Sequence, residues 1–193
     1  MSDHDERFSG FEIAVVGLAC RFPGANNPDK FWQNLKNGVE SIRRFSPQEL
    51  IDLGQDPKVV AQSNFVAAHG AVDDYNMFDY RLFGFTPREA GVMDPQQRLF
   101  LELCWEGLEN AGYAPKSMQV PVGVFAGTSA NTYLESNVRK NKKVLAAISE
   151  FQANVLNQND FLSTRASYKL GLSGPSFTVQ SACSTSLVAS HLA

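Results

Sequence analysis

Several things are scarce in this 193-residue chain, and each shortage excludes something. No apolar run approaches the roughly 20 residues that a membrane-crossing helix needs, which argues against a helical span. The opening Met1-Ser-Asp-His-Asp-Glu-Arg7 is polar and charged, unlike a signal peptide. There are three cysteines, Cys20, Cys104 and Cys183, too far apart for a CxxC pair or a zinc-ligand cluster. Their odd number and apolar neighbours read as reduced thiols, hence a cytoplasmic setting. There is no basic surplus: Lys and Arg total 17 against 20 Asp and Glu, a net charge of −3, so nucleic acid is not an expected partner. No repeat and no low-complexity tract interrupts the chain, and a dinucleotide loop is missing too, since Gly17-Leu-Ala-Cys-Arg-Phe-Pro-Gly24 lacks GxGxxG spacing. No metal and no directly bound cofactor is expected.

What is present is an ordinary globular balance, 44% hydrophobic and 19% charged, in a chain long enough to bury a core. Residues 1–10 read as a disordered lead-in. Phe11-Glu-Ile-Ala-Val-Val-Gly17 is rich in β-branched residues and reads as a strand buried on both faces. Asn27-Pro28-Asp29 starts a helix with Phe31, Trp32 and Leu35 on its apolar face, and Gly38 ends it. Residues 39–92 show little periodicity and read as an elaborate loop region over the core. Asp94-Pro95-Gln96-Gln97 supplies an N-cap, a Pro at N1 and a Gln placed for a capping box, ahead of an apolar stripe that runs to the stop at Gly112. Val122 to Gly127 reads as a second buried strand, and residues 144–156 as helical. Asp160 caps a helix that ends at Gly171, Ser176 to Gln180 is a strand, and Ser184 to Ala193 is a helix. Strands alternating with helices predict an α/β layered fold. The chain stops inside its last helix with no closing Gly or Pro, so it is expected to be part of a larger domain.

One cysteine stands apart. Cys183 falls where a strand gives way to a helix, among the small residues Ser181, Ala182 and Ser184. Unpaired N–H groups at a helix start favour a thiolate and can hold an oxyanion. On these grounds alone Cys183 is either a nucleophile or an inert structural thiol. Cys20, after a strand, and Cys104, on a helix's apolar face, take the inert reading.

Four stretches then carry a resemblance. They are Ile13-Ala-Val-Val-Gly-Leu-Ala-Cys-Arg-Phe-Pro-Gly24, Pro87-Arg-Glu-Ala-Gly-Val-Met-Asp-Pro-Gln-Gln-Arg98, Val122-Gly-Val-Phe-Ala-Gly-Thr128 and Val179-Gln-Ser-Ala-Cys-Ser-Thr-Ser-Leu-Val188. In this order they resemble the β-ketoacyl synthase family, in the form of the ketosynthase domains of modular type I polyketide synthases. The resemblance implies a thiolase-like αβαβα fold, of which residues 11–193 supply about the N-terminal half, truncated just after the nucleophile. It implies that Cys183 takes an acyl chain from the phosphopantetheine of an acyl carrier protein. A malonyl-type extender then condenses with that chain after losing carbon dioxide. It further implies a homodimer and neighbouring polyketide synthase domains as partners.

The resemblance also shows what is missing. The family uses two histidines downstream of the cysteine, in HGTGT-like and NxGH-like motifs, and neither motif occurs here. His4, His69 and His191 do not stand in for them: His191 is roughly 12 Å from Cys183 along one helix axis at about 1.5 Å per residue. The chain is therefore expected to be unable to condense on its own. A scaffold or dimer-surface role, a fatty-acid synthase, and a cysteine hydrolase or thiolase stay open as other readings. Arg98, Arg165 and Tyr168 could meet a partner, and Arg139, Lys140, Lys142 and Lys143 form a basic cluster; for these a solvated or internally paired role is the plainer expectation.

Overall fold

The computed structural model describes residues 10–193; the lead-in expected over residues 1–10 thus lies outside them except for Gly10, which is exposed. The elements run α1 (Pro28–Lys36), β1 (Arg43–Arg44), α2 (Pro47–Asp52), α3 (Pro57–Val60), β2 (Ala68–His69), α4 (Pro87–Val92) and α5 (Pro95–Asn110). They continue with β3 (Val124–Ala126), a π-helical turn (Leu134–Val138), α6 (Lys142–Ala146), α7 (Glu150–Val155), α8 (Phe161–Leu170), β4 (Ser176–Thr178), a 3-10 turn (Ala182–Ser184) and α9 (Thr185–Leu192).

The expected α/β alternation is present at the centre. β3 and β4 pair in parallel, Val124 opposite Ser176 and Phe125 opposite Phe177, and the chain between them crosses over through α6, α7 and α8. α8 packs on both strands and α5 packs on α8. Val124 joins Leu101, Ala166, Leu170 and Phe83 in one buried cluster, while Phe125 and Phe177 pair on the opposite face with centroids 5.7 Å apart. A second cluster gathers Val92, Met93, Val138, Ile148, Ala153 and Leu156 under the crossover.

Most helix boundaries follow the cap chemistry. Asn27 accepts from Lys30 N–H at the head of α1. Asp94 accepts from Gln96 N–H at the head of α5, and Gly112 follows it at φ +80°. Gly171, at φ +68°, closes α8 in the left-handed conformation that suits glycine.

Four expectations change. Residues 11–17 form no strand: Phe11 and Ile13 are 92% and 91% exposed, and the segment is tied down instead by Leu18 N–H donating to Asn110 Oδ1 (2.9 Å). A β-rich segment becomes a strand only where a neighbouring strand supplies hydrogen bonds, and no strand among the described residues pairs with this one. The α1 helix forms as expected, its apolar face half covered: Phe31 packs on Phe22 while Trp32 is 60% exposed. Gln97 does not complete a capping box, because its side chain is buried and spent on Arg165 and Gln158. Asp160 heads α8 without a side-chain cap bond. The helical stretch at 144–156 is two short helices broken between Ala146 and Glu150.

Residues 39–92 hold more order than their weak periodicity predicted. β1 and β2 form a two-residue antiparallel ladder. Two capping boxes stand where none was read, Ser46 with Glu49 and Thr86 with Glu89. Each opens a six-residue helix, too short for a periodic signal.

The second box ties α4 to the crossover. Glu89 accepts from Thr86 N–H (2.8 Å) and from Gln152 Nε2 of α7 (3.0 Å). The Thr86 N–H, more than any other partner, holds the Glu89 carboxyl below its ordinary range, against the opposing effect of partial burial. A carboxyl whose pKa falls on folding adds stability above its unfolded value of about 4.3 and loses it as pH drops through the folded value. Thermal melts of wild type and Glu89→Gln should therefore differ most at pH 7, and the gap should shrink as the pH is taken down through the acid range. A gap that does not change with pH would contradict this.

Candidate active site

The site is built at the carboxyl ends of β3 and β4. After Thr178 the chain continues alongside β3, with Val179 N–H donating to Ala126 O (2.8 Å). It then turns abruptly. Ala182 sits at φ +51°, a left-handed conformation that costs a non-glycine residue roughly 1–2 kcal/mol. Hydroxyls hold the turn. Thr185 Oγ1 accepts from Ser181 N–H (2.9 Å) and donates to Ala182 O (2.8 Å), and Ser184 Oγ donates to Ser181 O (2.8 Å). Cys183 stands exposed on this turn, one residue past the left-handed position, ahead of α9. Its N–H has no acceptor among the described residues.

Gly127 lets the turn come this close. A Cβ on Gly127 would run into the Thr185 methyl and into Val179 O, so α9 could not lie against the end of β3. At the opposite end of the strand pair Gly174 lets the entry to β4 lie against the entry to β3, where a Cβ would meet Val122 O and the Gly123 nitrogen.

Cys183 opens onto a cavity of about 1020 Å³, at the upper end of what a small-molecule pocket needs. Its walls are Phe100 of α5, Phe125 of β3, Thr128 and Ser129 of the following loop, and Ala189 of α9. That lining is largely apolar, interrupted by the hydroxyl residues Thr128, Ser129, Thr185, Ser186 and Ser190.

The other cysteines differ in setting. Burial pushes the Cys104 thiol up to about 12, and it packs against the cluster of Leu101 and Leu170. Cys20 is raised by burial, with Arg21 beside it pulling the other way. Both are half-buried free thiols, in keeping with the inert reading. His69 lies in β2 and lines a different cavity; His191 is exposed on α9; His4 is outside the described residues. No group of three or more His, Cys, Asp or Glu capable of holding a metal occurs among the described residues. No helix there is long and apolar enough to cross a membrane.

Arg165 is paired internally, donating to Gln97 Oε1 (2.7 Å) and Val155 O (2.6 Å). Arg98 is only 7% exposed. Arg139 pairs with Glu135 and Glu150, and Tyr168 is exposed. Sequence reasoning missed Gln96, Phe125, Thr128 and Ser129. Gln96 was absorbed into helix capping, and the other three follow or sit in a strand that gave no sign of facing the cysteine. The Gly-Thr pair at 127–128 was the available clue.

A cysteine presented between a parallel strand and a helix, over an apolar cavity, defines a class of α/β proteins rather than one family. The family follows from comparison: residues 11–193 match the β-ketoacyl synthase N-terminal domain, and the chain belongs to that family of acyltransferases. It is 44% identical over 187 residues to one of the phenolphthiocerol/phthiocerol polyketide synthase proteins of Mycobacterium tuberculosis, covering 94% of this chain and 13% of that protein. It is 42% identical over 187 residues to the pikromycin polyketide synthase component PikAII of Streptomyces venezuelae, covering 94% of this chain and 5% of that protein. Among solved structures, ketosynthase twelve of the bacillaene polyketide synthase of Bacillus amyloliquefaciens matches with a TM-score of 0.76 at 37% identity, over 91% of this chain and 30% of that one. The fold is thus a ketosynthase fold over the part covered, and this chain spans a small fraction of the relatives' length.

Replacing Gly127 by Ala tests how the turn is seated. The added methyl meets backbone as well as a side chain, so it should cost about 1–3 kcal/mol of stability and slow alkylation of Cys183 by iodoacetamide. Wild-type stability together with wild-type alkylation would show that the close approach is not needed.

Proposed function

We propose that this chain is the acyl-accepting part of a polyketide ketosynthase, with Cys183 as its nucleophile. The observation that carries the reading is the position of the thiol: exposed, on a left-handed turn ahead of a helix, and open to an apolar-walled cavity. The Cys183 sulfur attacks the acyl carbonyl carbon of a carrier-bound thioester. The bond from that carbon to the phosphopantetheine sulfur breaks, and the carrier leaves as a free thiol. The new thioester stays on Cys183, dividing a hard condensation into two easier steps. The unpaired Cys183 N–H is suited to hold the oxyanion of the tetrahedral intermediate.

In the full-length domain a malonyl-type unit on the carrier loses carbon dioxide. The carbanion equivalent attacks the Cys183 thioester, a carbon–carbon bond forms and the cysteine sulfur departs. That domain has the five-layer thiolase-like architecture and works as a homodimer beside other polyketide synthase domains. Decarboxylation falls to histidines that this sequence does not supply near Cys183. The three free thiols favour a reducing, cytoplasmic setting.

Intact-mass analysis after exposure to an acyl carrier protein thioester should show one acyl adduct on the wild-type chain and none on Cys183→Ala. An adduct that persists on Cys183→Ala would overturn the assignment. With malonyl carrier protein the same chain should release no carbon dioxide above background, and turnover there would show that decarboxylation needs none of the missing residues.

A further inference from the structure

The side chain of Gln96 does something that the start of α5 does not require. The helix is already capped through its backbone, where Gln96 N–H donates to Asp94 Oδ1 (2.8 Å). The next residue, Gln97, is buried and fixes the helix to Arg165 and Gln158. The Gln96 carboxamide instead reaches across to the loop that follows β3. Its Oε1 accepts from Thr128 Oγ1 (2.7 Å) and from Ser129 N–H (2.9 Å). Its Nε2 donates to Asp94 Oδ2 (3.3 Å), which sets the amide's orientation. Asn159 Nδ2 holds the same loop from behind, donating to Ser129 O (3.2 Å).

That loop is one wall of the Cys183 cavity, with α9 as another. Thr128 and Ser129 lie just beyond Gly127, the residue against which the cysteine's turn is seated. A second cavity of about 750 Å³ lies between α5 and the β1–β2 ladder. Among the described residues Gln96 is the one that lines both cavities.

The geometry points to Gln96 as a positioning residue: through Thr128 and Ser129 it holds the cavity wall that aligns an acyl chain for attachment to Cys183. The inference rests on the reading of Cys183 as the acyl acceptor. It adds that a side chain with no contact to the thiol governs how well longer chains react. A two-carbon group needs little of the wall, whereas an eight-carbon group lies along it. Losing the wall should therefore penalise the longer group selectively.

The test uses the whole chain and two thiol probes, iodoacetamide and N-octyl iodoacetamide, with adducts assigned to Cys183 by peptide mass. Gln96→Ala removes both bonds to the loop and should slow octyl labelling by at least about fivefold, the factor carried by one neutral hydrogen bond. It should change iodoacetamide labelling by less than about twofold, the scatter of a surface substitution. Thr128→Val removes one of the two bonds from the other side and should give a smaller selectivity of the same sign, with the double variant no worse than Gln96→Ala alone. Gln96→Glu keeps an acceptor for Thr128 and Ser129 and should recover part of the octyl rate. Equal losses with both probes would mean that Gln96 serves only the fold, and an octyl rate that stays the same or rises would mean that the wall aligns nothing; either overturns the inference. Because these probes need no acyl transfer, the outcome stands apart from the carrier experiment. A chain that fails to accept an acyl group but keeps the Gln96 selectivity would refute the function and leave the wall's role in place.

Discussion

The seating of α9 against the end of β3 is the contact on which the rest of the site depends. Gly127 offers no Cβ where the Thr185 methyl and the Val179 carbonyl must pass. Once those groups are in place, the chain leaving β4 has room for only a short reversal, and Ala182 takes the left-handed conformation that makes it. Strain at Ala182 is offset by local hydroxyl bonds, chiefly those of Thr185, which reaches back to Ser181 and Ala182 together. The result is an exposed thiol on a hydrogen-bonded turn, not one buried in the apolar interior that claims Cys104.

The same economy of space explains the small residues around Cys183. Ser181, Ala182 and Ser184 are compact enough to leave the thiol open to the cavity, and the Ser184 hydroxyl fastens the turn by donating to Ser181 O. Opposite them, amide side chains from α5 and the crossover hold the loop after β3. The cavity is thus shaped by hydrogen bonds on one side and by apolar rings, Phe100 and Phe125, on the other. Such a lining is what the proposed acyl chain, apolar with a polar reactive end, would require.

Legibility followed the physics of each segment. Cys183 and its turn could be read because a strand pattern, three small residues and a helix pattern meet there within one motif. α5 and α8 could be read from their stops, Gly112 and Gly171, which carry a local conformational demand. Residues 11–17 could not, because a buried strand is a property of its neighbours as much as of its sequence, and here the segment lies exposed beside α5. The short helices at 47–52 and 87–92 escaped because six residues hold less than two turns of periodicity, although their capping boxes were in plain view. Gln96 escaped for a different reason: its backbone had a sufficient explanation in the cap, and nothing in a linear sequence tells where its carboxamide points.

Chemical discrimination among the three thiols is the central claim, and competition footprinting measures it most directly. The chain would be incubated with an acyl thioester, then pulsed with iodoacetamide, and the three cysteines compared by peptide mass before and after hydroxylamine. Protection confined to Cys183 and reversed by hydroxylamine is the predicted result. Protection at Cys20 or Cys104, or an unprotected Cys183, would contradict the account.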